Sequence, residues 1–167
     1  MSVPSFSTCD LCDAYRDKPI SAGFAVLPPA FRNFGSKTVF CGQVATVQCF
    51  EDNTCVRSVL ETEGQGRVLL VAGGASLRTA LLGGNLGLLA AKNGWSGVVI
   101  DGCVRDVREL AVLAIGIRAL AAMPMPPFKR QAGLVDVPVW VQGVHVAPGD
   151  WLYADDDGMV ITRQPAI

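Results

Sequence analysis

Apolar positions along this chain change period several times, and each change marks an element. Residues 7–16 read as a helix with Ser7 or Thr8 at its cap, and a proline-containing loop follows. From Val39 to Phe50 apolar and polar residues alternate, the pattern of a long strand or one half of a hairpin. Residues 53–63 read as a helix stopped at Gly64-Gln65-Gly66, and Arg67 to Ala72 as a short apolar strand. Then come a glycine-bounded helix near 85–93, a strand over 97–101, a helix near 106–114 and a strand over 117–122. This β-α-β-α-β order predicts an α/β core with parallel pairing, to which runs near 138–141, 144–146, 150–154 and 158–162 add short strands joined by turns.

The strand over 97–101 is the most informative of these. Val98, Val99 and Ile100 form an unbroken β-branched run, expected for a strand covered on both faces, and the chain is expected to turn at Asp101-Gly102. Beyond it Val107, Leu110, Ala111 and Ala114 recur at helical spacing, which puts Arg105, Asp106 and Glu109 at the start of a helix and off its core-facing stripe. The carboxyl end of a buried strand is where α/β folds place ligands. Asp106 and Glu109 are spaced to hold one hard cation through oxygen, directly or by way of water, and Arg105 can grip a carboxylate bidentately. The segment alone is equally compatible with acidic residues favoured at a helix start by the macrodipole.

Two glycine clusters lie upstream, Gly73-Gly74 and Gly83-Gly84-Asn85-Leu86-Gly87. Glycines ahead of a helix let backbone N–H groups approach an anion closely, although an ordinary turn capped by Asn85 has the same composition. The Gly-Lys-Ser/Thr ending of a phosphate loop is absent, as is the G-x-G-x-x-G dinucleotide spacing.

A chain of 167 residues is the size of one domain, taken here as 1–167, and buries about 70% of its unfolded surface. Hydrophobic residues make up 50% and charged residues 17%, with mean hydropathy +0.37, so some apolar surface is expected to face another subunit. A net charge of −1 without basic runs argues against a nucleic-acid surface. Met1 through Phe6 carry no leader pattern and no window is long enough for a membrane helix, so a cytoplasmic protein is expected. Cys9 and Cys12 fall in a helix with no second pair elsewhere, and all six cysteines read as free thiols rather than a zinc or redox site. His145, the sole histidine, lies in an alternating strand without a nearby nucleophile and reads as a surface or hydrogen-bonded residue rather than a catalytic one. The prolines of Met123-Pro124-Met125-Pro126-Pro127 read as a stiff crossover, and Asp155-Asp156-Asp157-Gly158 as a tight turn rather than a calcium loop.

Gly84, twenty further residues, Arg105-Asp106, two residues and Glu109 together resemble the motif of the class II 4-hydroxy-4-methyl-2-oxoglutarate aldolases, a family that includes the regulators of ribonuclease E activity A. The resemblance spans nearly the whole chain. It takes in Ser7 to Ala14, Gly94-Trp95-Ser96-Gly97, Gly116-Ile117, Pro148-Gly149-Asp150 and Asp155 to Gly158. It implies a swivelling β/β/α fold of the phosphohistidine-domain type with a mixed sheet, and a homotrimer or dimer of trimers with sites near subunit boundaries. It also implies retro-aldol cleavage of a 4-hydroxy-2-oxo acid to pyruvate, with oxaloacetate decarboxylation as a secondary activity. In that scheme Mg²⁺ or Mn²⁺ is held by Asp106 and, through water, by Glu109. Arg105 steadies the enolate, and the backbone of Gly83, Gly84, Asn85 and Leu86 binds the substrate carboxylate. Lys92, Lys18, Lys37 and Lys129 are not placed for a Schiff base, which disfavours a metal-independent aldolase. Metal-bound water, Asp101 and a carboxylate from another subunit are open candidates for the general base, and Arg78, Arg118 and Lys129 for substrate selection. The competing reading is a protein-binding regulator of a ribonuclease E-type enzyme.

Overall fold

Strand β3 (Phe40–Gln48) joins the two parts of the molecule because its halves pair with different partners. Phe40–Gln43 runs antiparallel to β10 (Trp151–Ala154), whereas Val44–Gln48 runs parallel to β4 (Val68–Leu82). The computed structural model describes residues 5–19 and 22–167. Within them a mixed sheet runs in the order β1 (Phe24–Leu27), β11 (Met159–Thr162), β10, β3, β4, β5 (Gly97–Val104), β6 (Gly116–Ala122) and β2 (Arg32–Asn33), with β7 (Leu134–Val135) alongside β3. A separate hairpin pairs β8 (Val139–Val141) with β9 (Val144–Val146). The helices are α1 (Thr8–Tyr15), α2 (Thr54–Leu60), α3 (Gly84–Lys92) and the single turn α4 (Val107–Leu110).

Strand periodicity sorts the core into two layers. Leu69, Val71, Val98, Ile100 and Ile117 point to one face, where Val56, Leu60, Leu86 and Ala90 of α2 and α3 cover them. Val68, Leu70 and Val99 point to the other, against Val139, Val141 and Val146 of the hairpin and Leu152. Every position of β5 is buried, as its β-branched run requires. Each such Val, Leu or Ile contributes about 1.5–3 kcal/mol on full burial. At the sheet's centre the Phe40 ring occupies the space that side chains at Gly97 and Gly116 would fill, since a Cβ there would lie 2.4 Å and 2.1 Å from ring carbons.

The structure corrects several boundaries. No turn occurs at Asp101-Gly102: β5 continues to Val104 because Gly102, Cys103 and Val104 still pair with β4. The strand expected to end at Ala72 runs on to Leu82 through a bulge in which Gly74 and Ala75 adopt φ of 66° and 55°. The helix expected over 106–114 is only one turn, because after Ala111 the Val112 and Leu113 N–H groups bond three residues back, to the Glu109 and Leu110 carbonyls, instead of four. Strands β1 and β2 occupy the region read as a loop; β1 gains its ladder from distant β11 and β2 from β6. The reading of Met1 through Phe6 falls partly on residues 1–4, outside the described residues. Among the described residues no helix is long and apolar enough to cross a membrane.

Candidate active site

Parallel strands bring three segments to one edge of the sheet. The Arg105 N–H donates to the Leu82 carbonyl at 2.9 Å and the Met123 N–H to Val104 at 2.9 Å, so Gly83, Arg105-Asp106 and the segment from Met123 emerge together. Asp106 adopts the left-handed conformation, φ 57° and ψ 43°, ahead of α4. Such a position costs a non-glycine residue on the order of 1 kcal/mol or more, and local hydrogen bonds offset it. The Asp106 carbonyl accepts the Glu109 and Leu110 N–H groups at 2.9 and 3.0 Å, and its Oδ2 accepts the Gly84 N–H at 2.9 Å. Asp106 therefore links the start of α4 to the start of α3.

Glu109 reaches the same place. A Cβ on Gly84 would lie 2.0 Å from Glu109 Oε2, and one on Gly83 2.7 Å from Asp106 Oδ2. Glycine is required here by the close approach of two carboxylates to a backbone. Arg105 lies beside them, its Nε 3.9 Å from Asp106 Oδ2, with 42% of its side chain exposed. So long and exposed an ion pair holds the guanidinium weakly and leaves it free to bind an incoming carboxylate or oxyanion.

Arg105 and Asp106, with Glu109 just behind them, border an open cavity of about 260 Å³. One side is Gly83, Asn85, Leu86, Arg105 and Asp106; the other is Asn53, Thr54 and Arg57 of the α2 start, Ala80, and Pro126, Pro127, Lys129 and Gln131 of the loop after β6. The residues expected from the sequence at 83–86, 105, 106 and 109 are thus brought together. One expected role changes: the Gly84 amide is engaged by Asp106, leaving the Asn85 and Leu86 amides as the first-turn donors without a partner inside the helix. Gly73-Gly74 do not join them, since Gly73 is needed where β4 packs against Leu81 and the Asp101 carbonyl. Lys129, one of the three residues open for substrate selection, lies in the cavity wall. It is exposed to solvent. The strand-end rule applied to β3 would have found Asn53 and Thr54; nothing local marks the loop residues.

Asp101 is removed from the site. It shares a face with Val99, away from α3 and α4, and accepts a 2.7 Å bond from Gln142 Nε2. Its carboxyl is pushed up by burial, opposed by bonds from Gln142 and the Ala75 amide. Arg118 is also elsewhere, donating through Nη2 to the Thr38 and Asp155 carbonyls, and Arg78 pairs with Glu51 at 2.6 Å. His145 is exposed, edge-on to Trp140. Cys9, Cys12, Cys41, Cys49, Cys55 and Cys103 are free. The Asp155 carboxylate closes the turn to β11, accepting from Asp157 and Gly158.

The donor set suits a hard divalent cation. Asp106 and Glu109 offer only oxygen, Asp106 Oδ1 has no hydrogen-bond partner among the described residues, and the missing Cβ of Gly84 makes room between α3 and the Glu109 carboxylate. No group of three or more metal-ligating side chains occurs among the described residues. Two carboxylates with the remaining positions open to water and substrate is the arrangement Mg²⁺ accepts, since it dehydrates reluctantly.

Residues 8–161 match the family model described as "RraA-like: Aldolase/RraA". A protein of Albidiferax ferrireducens, 60% identical over 95% of this chain and 96% of its own length, is named "Putative 4-hydroxy-4-methyl-2-oxoglutarate aldolase", as is one of Burkholderia multivorans at 55% over 95% and 96%. The solved structure of the RNA-processing inhibitor RraA from Thermus thermophilis superposes with a TM-score of 0.91 at 48% identity, over 98% of this chain and 96% of that one. A Geobacillus kaustophilus structure named as an S-adenosylmethionine:2-dimethylmenaquinone methyltransferase gives 0.90 at 40% identity, over 96% and 97%. These names differ on one fold, so function has to be argued from the site. With a family model matched over most of its length and relatives of this identity, the chain belongs to the RraA-like, aldolase/RraA family.

Proposed function

We propose that this protein catalyses the divalent-metal-assisted retro-aldol cleavage of 4-hydroxy-4-methyl-2-oxoglutarate, or a related 4-hydroxy-2-oxo acid, to pyruvate and a second oxo acid. The observation that carries this reading is the convergence of Arg105, Asp106 and Glu109 on the glycine-built start of α3, beside a cavity with two further cations, Arg57 and Lys129, in its far wall. Asp106, and Glu109 through water, would hold Mg²⁺ or Mn²⁺, which when bound supplies a Lewis acid at the 2-oxo group.

The chain's own groups account for the rest. The Asn85 and Leu86 amides, at the positive end of α3, suit the C1 carboxylate. Breaking the C3–C4 bond moves its electron pair toward C3 and the C2 oxygen while the C4 hydroxyl loses its proton. The fragment carrying C4 leaves as an oxo acid, and the enolate takes a proton at C3 to become pyruvate. Arg105 donates to the charged C2 oxygen more strongly than to the neutral ketone, a preference worth about 2.7–4 kcal/mol in comparable sites. With Asp101 excluded, water at the site and a neighbouring subunit's carboxylate stand as acceptors of the C4 hydroxyl proton. The same enolate arises when oxaloacetate loses carbon dioxide, so decarboxylation accompanies the main activity. A homotrimer or dimer of trimers in the cytoplasm is part of the proposal, supported by exposed Phe50, Leu77, Phe128 and Leu134 on one chain.

The test is pyruvate release from both substrates with Mg²⁺, Mn²⁺ or EDTA, in wild type, Asp106→Ala and Arg105→Ala. Metal-dependent turnover lost in both variants is expected; no turnover with any divalent metal refutes the proposal. The similarity to an RNA-processing inhibitor supports a second reading, a protein-binding regulator of a ribonuclease E-type enzyme. That role requires metal-independent binding unaffected by Asp106→Ala.

A further inference from the structure

The cavity's outer wall has no regular secondary structure over Met123–Gly133 apart from an isolated bridge, yet it carries Lys129 and Gln131 into the site. What holds it is a buried dipeptide between β3 and α2. The Glu51 carbonyl accepts the Phe128 N–H at 2.8 Å, and Asp52 bridges in parallel to Phe128. Asp52 is 2% exposed and lies outside the cavity; one carboxylate oxygen accepts the Thr54 N–H at 2.9 Å and the other the Arg130 N–H at 2.5 Å. A carboxylate so buried is costly unless its lone pairs are met, and here backbone donors from two segments meet them. Burial pushes this carboxyl up, but the bonds from Thr54, Arg130 and Ala132 outweigh it and hold it below the ordinary carboxylate range. The bond falls between the cavity residues: the Arg130 N–H turns to Asp52 while its neighbours Lys129 and Gln131 line the site.

We propose that Asp52 is a positioning residue, whose buried carboxylate anchors the loop over 128–132 and thereby fixes Lys129 against the carboxylate of the departing oxo-acid half of the substrate. The proposal rests on the aldolase reading and makes the enzyme selective for 4-hydroxy-2-oxo diacids over substrates whose leaving fragment is small and uncharged. Oxaloacetate, which releases only carbon dioxide, does not use this contact.

The experiment compares Asp52→Asn, Lys129→Ala and the double variant on 4-hydroxy-4-methyl-2-oxoglutarate and oxaloacetate, with backbone hydrogen exchange read at 128–132. For Asp52→Asn, KM for the diacid is expected to rise about tenfold or more with kcat within about threefold, while KM for oxaloacetate stays within about twofold. Lys129→Ala is expected to reproduce the KM rise with the Arg130 amide still protected, and the double variant to be no worse than Lys129→Ala. Equal KM rises for both substrates, or fully multiplicative effects in the double variant, overturn the positioning role and leave the aldolase reading standing. A wild type that turns over neither substrate overturns both. Should Asp52→Asn fail to fold, wild-type exchange decides: an Arg130 amide exchanging as fast as that of Lys129 overturns the anchor.

Discussion

Gly84→Ala separates the chemistry of the site from the stability of the fold. In the wild type the helix start leaves a gap that the Glu109 carboxylate fills, with Oε2, Cδ and Cβ at 2.0, 3.0 and 3.3 Å from where the new methyl would stand. Gly84 is in ordinary helical conformation, so alanine incurs no backbone strain there and gains about 0.5–1 kcal/mol of helix propensity. The clash falls on the exposed end of a flexible side chain, which swings into solvent at small cost. The net change in folding stability is therefore expected to stay within about 1 kcal/mol. The carboxylate, however, can no longer lie beside Asp106. Displacing an outer partner of a metal site typically costs 10–100-fold in affinity or activity, about 1.4–2.7 kcal/mol. Urea unfolding followed by circular dichroism measures the first quantity, and a Mg²⁺ titration of pyruvate release, coupled to lactate dehydrogenase, measures the second. An unchanged Mg²⁺ dependence, or a stability loss above about 3 kcal/mol, refutes the assigned role of Glu109.

Arg105→Ala is expected to lower kcat/KM about 10²–10³-fold with the unfolding midpoint unchanged, because the side chain is half exposed and held only by a 3.9 Å ion pair; loss of activity through unfolding in a thermal scan would contradict this. Gly116→Ala drives a methyl to 2.1 Å from the buried Phe40 ring, which has nowhere to move, and is expected to cost about 3 kcal/mol or more in urea unfolding without changing the site's chemistry. Asp155 is pushed up by burial but held below its ordinary range by bonds from Thr8 and the turn amides, so it adds stability above about pH 3.9 that is lost as pH falls through its lower folded value. Asp52 acts with the same sign, whereas Asp101, raised by burial, costs stability once ionised and relieves that cost in acid. Asp155→Asn is expected to flatten the acid limb of a stability–pH curve and to release α1 to proteolysis; an unaltered acid limb excludes it as the main contributor.

Local chemistry made much of this protein legible before any tertiary contact was known. The β-branched run at Val98–Ile100 fixes a buried strand, and the spacing of Val107 and Leu110 fixes a helix start next to Arg105, Asp106 and Glu109. Gly84 was readable only together with those residues, through the family motif they share. Tertiary structure alone decided three matters. Extension of β4 to Leu82 and of β5 to Val104 depends on ladder bonds between strands distant in sequence, which no local period encodes. Asp101 and Arg105, four residues apart, would share a face by pleat alternation alone; they separate because Asp101 points with Val99 toward Gln142, whereas Arg105 lies beyond the end of β5, where its N–H bonds the Leu82 carbonyl. The far wall of the cavity is assembled by Asp52 from a loop nearly eighty residues away, through backbone N–H groups that every residue carries and that leave no mark in the sequence.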